Sequence, residues 1–383
     1  VPDLIFAIPG GTLTFTSTNG TEYLSLAGRH SSGRKISGIV VASGLFDLQR
    51  SSSLRLLDGA TITMRDGARF PSAAPQIQNN VSLIYEGSGS GSAGAESAYP
   101  SFGAGTLVMN KTAGTTLTFP SPMTFSGNND AIQINSGNAV FEGEITLGDP
   151  GTQSRPAKTA DLIITCGGTV SFNAPLTLVV ANGGPNDTTI STIYRSGPGS
   201  VAFRQPVTWY SSFTSQDAAF PPAPSTALIW NSGSGSLTFE AGVMLSHGKA
   251  SGLAPAVFEV CIGNEGPGSM RFGKPVQAIA RSVSNPGGTL VFSVAALNVG
   301  GGTLEIAGDL RSTLINAISG STPGTVNING PTTLGALGTV SGALMNGSGC
   351  TINLSANDLS LSGTASHSIS GSSITSTTGR VVV

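Results

Sequence analysis

The sequence predicts an all-β fold, a right-handed parallel β-helix (β-solenoid) with about three short strands per turn. Three observations lead to it. Gly makes up 53 of 383 residues, about twice its ordinary share, while charged residues are 10% against an ordinary quarter. Short apolar runs with a two-residue period, the period of a strand, recur along the chain. Gly-Ser and Pro corners separate those runs at matching places.

The stretch 163–178, IITCGGTVSFNAPLTL, shows the unit. Val170 and Phe172 lie two apart and share one face of a strand. Pro175 cannot donate to a ladder and marks a corner, after which Leu176 and Leu178 resume the period. The same template fits Phe119 with Leu117, Pro122, Met123 and Phe125, and Phe141 with Ala139, Ile145 and Leu147. It fits Phe203 with Val201, Pro206, Val207 and Trp209, and Phe239 with Leu237, Gly242, Val243 and Leu245. Phe272 follows with Met270, Pro275, Val276 and Ala278, then Ile306 with Leu304 and Leu310, and Ile328 with Val326, Pro331 and Leu334. Phe292 follows Leu290 but then departs from the template.

Upstream of each Phe lies another short strand, at 131–134, 162–164, 190–194, 228–230 and 257–260, closed by a Gly/Ser corner. One repeat therefore reads strand, Gly corner, strand, Pro corner, strand. Strands this short cannot stand alone, and stacking like turns solves the problem. Parallel pairing about 4.8 Å along the axis then puts the Phe residues in one internal column and the following aliphatic residues in ladders. A sandwich or barrel array would want hairpin turns such as Asn-Gly between longer strands.

Spacing between the Phe positions from Phe119 to Phe272 runs 22, 31, 31, 36 and 33 residues. The variation falls at one corner, in 148–160, 181–189, 213–226 and 246–256. Insertions recurring at one corner project from one edge. Phe213, Phe220, Pro221 and Pro222 in FTSQDAAFPPAPST make that edge a candidate contact surface, with ordinary loop drift as the alternative. Residues 1–100 form a less regular block, 101–350 the regular repeat and 351–383 a terminal β tail. GSGSGSAGA at 87–95 reads as a protruding loop or a joint between solenoid blocks.

The composition excludes several classes. Net charge is −2 without a basic cluster, which argues against nucleic-acid binding. No apolar run approaches the length of a transmembrane segment. Cys166, Cys261 and Cys350 are odd in number and far apart, so they read as small buried hydrophobes. The acids are scattered. Glu142 and Glu144 are the nearest same-face pair and read as a solvated face, with no second carboxylate across a cleft for sugar hydrolysis. His30, His247 and His367 are isolated, and Ser246-His247-Gly248-Lys249 has no supporting Asp pair. No metal, phosphate-binding or nucleophile motif occurs, so the expectation is a non-enzyme without cofactors.

The chain opens on Val1 without Met or a basic leader region; if that is a native terminus, a leader has been removed. Asn19, Asn80, Asn110, Asn186, Asn346 and Asn353 sit in Asn-x-Ser/Thr sequons, which matter only in a glycosylating host. The low charge and Ser/Thr/Gly richness point to a secreted or cell-surface location.

The segment GTTLTFPSPMTFSGNNDAIQINSGNAVFEGEITLG resembles the autotransporter-associated β-strand repeat of bacterial passenger β-helices, over about 102–334. A full autotransporter continues into a C-terminal translocator barrel; the expectation here is that this part was removed or that export takes another route. The resemblance implies a secreted surface β-helix acting in adhesion or structure. The leading expectation is a structural solenoid that associates with itself end to end, as a filament or surface layer. Leu4, Ile5 and Phe6 at one end and Val381, Val382 and Val383 at the other are its candidate assembly residues. The alternatives are an adhesin that takes a surface glycan or host ligand through the insertion edge, and, third, a polysaccharide-active enzyme.

Overall fold

The computed structural model describes residues 4–15, 24–26, 38–48, 54–56, 61–71, 76–77, 81–97, 105–125, 129–148, 159–181, 189–212, 225–247, 256–274, 276–280, 290–298 and 302–306. Beyond these it describes 325–328, 332–334, 338–340, 343–346, 351–353, 358–361 and 373–383. Among the described residues there is no α-helix, and a single 3₁₀ turn, Ala95–Ser97, interrupts the strands. The chain divides into two compact units, Val1–Asp149 with Asp161–Ala174, and Pro150–Ala160 with Pro175–Val383.

In the first unit, Leu4–Phe15, Gly38–Leu48, Thr61–Arg65, Val81–Gly87, Gly105–Lys111 and Asn129–Ser136 lie side by side in chain order as one parallel sheet. Gly91–Ser92, Thr116–Phe119, Asn138–Phe141 and Thr169–Phe172 form a second. Met123–Phe125 pairs with Ile145–Leu147 in a third. Leu24–Leu26, Leu54–Leu56 and Gln76–Ile77 make a small parallel sheet of their own. Pairing is in register, so Phe119 lies against Phe141 and Phe141 against Phe172. Their rings stack at 4.6 and 4.7 Å between centroids, with planes 7° and 5° apart. That separation is the strand spacing, wider than ring-to-ring contact, so near-parallel rings must slide sideways to touch.

The second unit repeats the plan. Its first sheet runs Thr189–Arg195, Ser225–Asn231, Ala256–Asn264, Leu290–Asn298, Thr325–Ile328, Ala343–Asn346. Its second runs Ser200–Phe203, Ser236–Phe239, Ser269–Phe272, Thr303–Ile306, Thr332–Leu334, Thr351–Asn353, Ser373–Thr375. The third runs Leu176–Ala181, Val207–Ser212, Val243–His247, Val276–Ala280. Gly338–Val340, Leu359–Leu361 and Val381–Val382 make a short fourth. Phe203, Phe239 and Phe272 stack at 4.8 and 4.9 Å. Trp209 pairs with Leu178 on one side and Leu245 on the other, and is fully buried. The architecture is thus an all-β parallel solenoid with three main strands per turn.

Several details differ from the sequence reading. The first strand of each turn runs six to nine residues from Asn129–Ser136 through Ala256–Asn264, longer than the three to five expected, because Ser, Thr and Asn extend the apolar runs. Phe292 belongs to the first sheet, opposite Phe258, whereas Ile306 does take the Phe position beside Phe272 that the template gives it. Ile328 also lies in the first sheet, and Leu334 follows Ile306 in the column. The two-residue period is the same on every sheet, so spacing alone could not tell a Gly corner from a Pro corner there. Residues 87–95 are neither loop nor joint. Ser88 N–H donates to the Asp66 carboxylate at 2.8 Å, Ala93 N–H to Thr118 O at 2.8 Å and Ala95 N–H to Phe70 O at 2.7 Å. The glycines let this turn lie against the backbone of Asp66 and Phe70 on the preceding turn as a corner and short strand. The variable segments at 148–160, 181–189, 213–226 and 246–256 fall largely outside the described residues.

Phe239 is gripped on both faces, so Phe239→Ala should cost about 3–5 kcal/mol of stability, read by chemical denaturation. A loss under about 1 kcal/mol would mean the column is not what holds this unit together.

Candidate functional site

The anticipated site residues are dispersed. Phe213, Phe220, Pro221 and Pro222 lie outside the described residues. Leu4, Ile5 and Phe6 form part of Leu4–Phe15, the edge strand of the first sheet, paired with Ile39, Val40 and Val41. Val381, Val382 and Val383 are 38%, 47% and 96% exposed, and Val381–Val382 is the edge strand of its sheet. Glu142 and Glu144 are exposed, and Glu142 accepts the Asn173 amide at 2.9 Å. Cys166, in no disulfide, is buried beside a Gly corner; Cys261, also in no disulfide, is half-buried and faces outward next to Leu228, which corrects its reading as a buried hydrophobe. Cys350, His30 and His367 lie outside the described residues. Among those described, no group of three His, Cys, Asp or Glu residues could hold a metal ion. No helix there is long and apolar enough to cross a membrane.

What the sequence reading missed lies just inside the Gly corners. In the second unit, Arg195, Asn231, Asn264 and Asn298 are in register on neighbouring strands. Arg195, Asn231 and Asn264 are each fully buried. Arg195 Nη1 donates to Asn231 Oδ1 at 2.7 Å, Asn231 Nδ2 to Asn264 Oδ1 at 2.7 Å, and Asn264 Nδ2 to Gly268 O at 3.1 Å. Arg195 Nη2 donates to Gly199 O. A Cβ on Gly235 would sit 1.9 Å from both Arg195 Nη2 and Gly199 O, so only glycine fits there. The signal was present as RSGPGS, NSGSGS, NEGPGS and NVGGGT: a polar residue, then Gly at the second and fourth places after it.

Lys111 holds the equivalent corner position in the first unit and is 1% exposed, its Nζ donating to Glu86 O at 3.0 Å. Burial pulls its ammonium below the usual lysine range, against the opposing charges of Asp66 and Glu86. Glu96 in the 3₁₀ turn is fully buried. It accepts Phe70 N–H at 2.8 Å, Gly94 N–H at 2.8 Å and Tyr85 Oη–H at 3.0 Å. Burial still raises its carboxyl above the ordinary 4.5, although these donors favour the anion. The Arg195–Asn231, Asn231–Asn264, Lys111–Glu86 and Phe70–Glu96 bonds tie one turn to another, while those to Gly199, Gly268 and Gly94 close a corner within a turn.

The outward position just before each corner differs between the units. In the first, Asn110, Asn135 and Thr165 are exposed and join one another, Asn135 Nδ2 donating to Asn110 Oδ1 at 2.9 Å. In the second, the position carries Tyr194, Trp230, then Gly263. Tyr194 and Trp230 are half-buried. Trp230 Nε1–H donates to Glu265 Oε2 at 3.0 Å, and Tyr194 Oη lies 2.9 Å from Ser232 Oγ. Comparison with family models, curated proteins and solved structures finds no match.

Two outcomes test these corners. Asn231→Ala strands the Arg195 guanidinium in the interior and should cost about 3 kcal/mol or more, more than Asn264→Ala, in urea unfolding. Equal, small losses would show that the ladder is dispensable. For Glu96 the folded carboxyl holds its proton more tightly than the unfolded one, so the first unit's stability should fall as pH rises from 4.5 through the raised value. Glu96→Gln should abolish that decline in melts taken across this range, whatever it does to stability itself.

Proposed function

We propose that the protein is a non-catalytic structural solenoid, secreted or displayed at a cell surface, that associates with copies of itself through strand edges. The observation that carries this reading is the edge strand Val381–Val382, apolar and exposed. An edge strand offers a row of N–H and C=O groups to a neighbour, and natural sheets commonly guard such edges with charge, Pro or a bulge. Arg380 is the nearest charge, and its guanidinium is 3.6 Å from Asp358, beside the neighbouring strand. Leu4–Phe15, at another sheet edge, offers its stretch 4–6, ahead of the register shifts that follow Phe6, to a parallel strand from a second copy. Contacts of this head-to-tail kind propagate rather than close. The Ser/Thr/Gly-rich, charge-poor chain and its resemblance to passenger β-helix repeats support a surface setting.

Sizing of the full chain over a rising micromolar series, with electron microscopy of the same samples, should reveal concentration-dependent oligomers or filaments. Val381→Lys with Val382→Lys should shift the population to monomer while circular dichroism stays unchanged. A monodisperse monomer throughout the series, or assembly indifferent to the two lysines, would rule this reading out.

A further inference from the structure

We propose that the outward pair Tyr194 and Trp230 is a stacking platform for a neutral carbohydrate chain. The inference concerns a sheet face rather than the strand edges and does not depend on self-association. Tyr194 and Trp230 hold the same outward position on neighbouring parallel strands, whose spacing is about 4.8 Å. Two neighbours orient the Trp230 ring. Gly263 vacates the space that the six-membered ring fills, since a Cβ there would lie 2.1 Å from Cζ3 and 2.2 Å from Cε3. Glu265 then holds the indole N–H at 3.0 Å. A ring fixed in this way loses little rotamer freedom when a ligand lands on it.

The chemistry around the ring suits a sugar. The weakly positive C–H face of a pyranose meets the negative face of an aromatic ring. The exposed Glu265 carboxylate keeps acceptor capacity beyond the indole, and the Tyr194 and Ser232 hydroxyls can each donate or accept. The charge on Glu265 disfavours uronic or sulfated chains, which leaves neutral hexopyranoses. Covering Gly263 accounts for the Trp230 ring but not for the Tyr beside it. In the first unit the corresponding outward position carries amides and a hydroxyl joined to one another, so the aromatic pair is not something the fold demands at this position.

The chain has two Trp residues; Trp209 is fully buried and Trp230 half-buried, so fluorescence changes on binding report chiefly on Trp230. The full chain is titrated with cellohexaose, maltohexaose and chitohexaose, followed by fluorescence and, for the variants, by calorimetry. At least one sugar should give a saturable change. Trp230→Ala and Tyr194→Ala should each weaken that binding about tenfold, and Trp230→Phe, which keeps a ring and guards against misfolding, should weaken it less. Asn135→Ala, on the corresponding column of the first unit, should leave it unchanged. The proposal is overturned if none of the three sugars gives a saturable signal, or if binding survives Trp230→Ala. It is equally overturned if Trp230→Ala dissolves oligomers while leaving sugar binding intact, which would assign the ring to a contact between copies.

Discussion

The structure depends on one constraint: a short strand must find hydrogen-bond partners for its backbone on the adjacent turns, because it has none within itself. Parallel in-register pairing meets that need, and it makes every residue the neighbour of its counterpart one turn away. Phe119, Phe141 and Phe172 stack because their backbones are already a strand spacing apart, not because aromatic attraction drew them together. The same holds for Val207 and Val243, and for the polar residues at the corners. Each turn is therefore selected for likeness to the turn beside it.

That constraint explains how a charge-poor chain tolerates buried Arg and Asn. A lone interior guanidinium would be costly, but here each polar side chain meets another on the next turn or a glycine-corner carbonyl. Glu96 and Lys111 follow the same rule in the first unit, using backbone groups of neighbouring turns. The corner is where the solenoid must bend, and bending exposes carbonyls that a strand would have paired. A buried donor at that place satisfies them. The apolar columns set how much surface is hidden, and the polar corners set which turn stacks on which.

Much of this was legible in the sequence. The Phe template identified the second sheet from Thr116–Phe119 to Ser269–Phe272, because Phe is scarce and large enough to mark its column. The third sheet followed from the Pro corners. The template held where Phe gives way to Ile306 but set Ile328 on the wrong sheet, because its neighbours carry the same period. The polar ladder went unread because its residues sit at the end of an apolar run, where Arg and Asn look like the start of a solvated corner. Only the register turns Arg195, Asn231 and Asn264 inward together. Likewise Gly263 looks like a break in a strand until Trp230 is seen lying across it. Val381–Val383 stood out in the sequence as an apolar run, and their exposure is what the structure adds.

The corner ladder also has a direction. An asparagine amide both accepts and donates, so Asn231 accepts a hydrogen bond from one side and donates one to the other, and another Asn can be added after it. An arginine only donates. Arg195 can therefore begin such a chain but cannot stand in its middle, where the preceding donor would find no acceptor. Lengthening this protein by copying turns, the simplest route by which a repetitive gene grows, is open on the asparagine side of Arg195. A copy that carried the arginine along would have to change it, and the point where one set of duplications began would stay marked by the residue that could not be repeated.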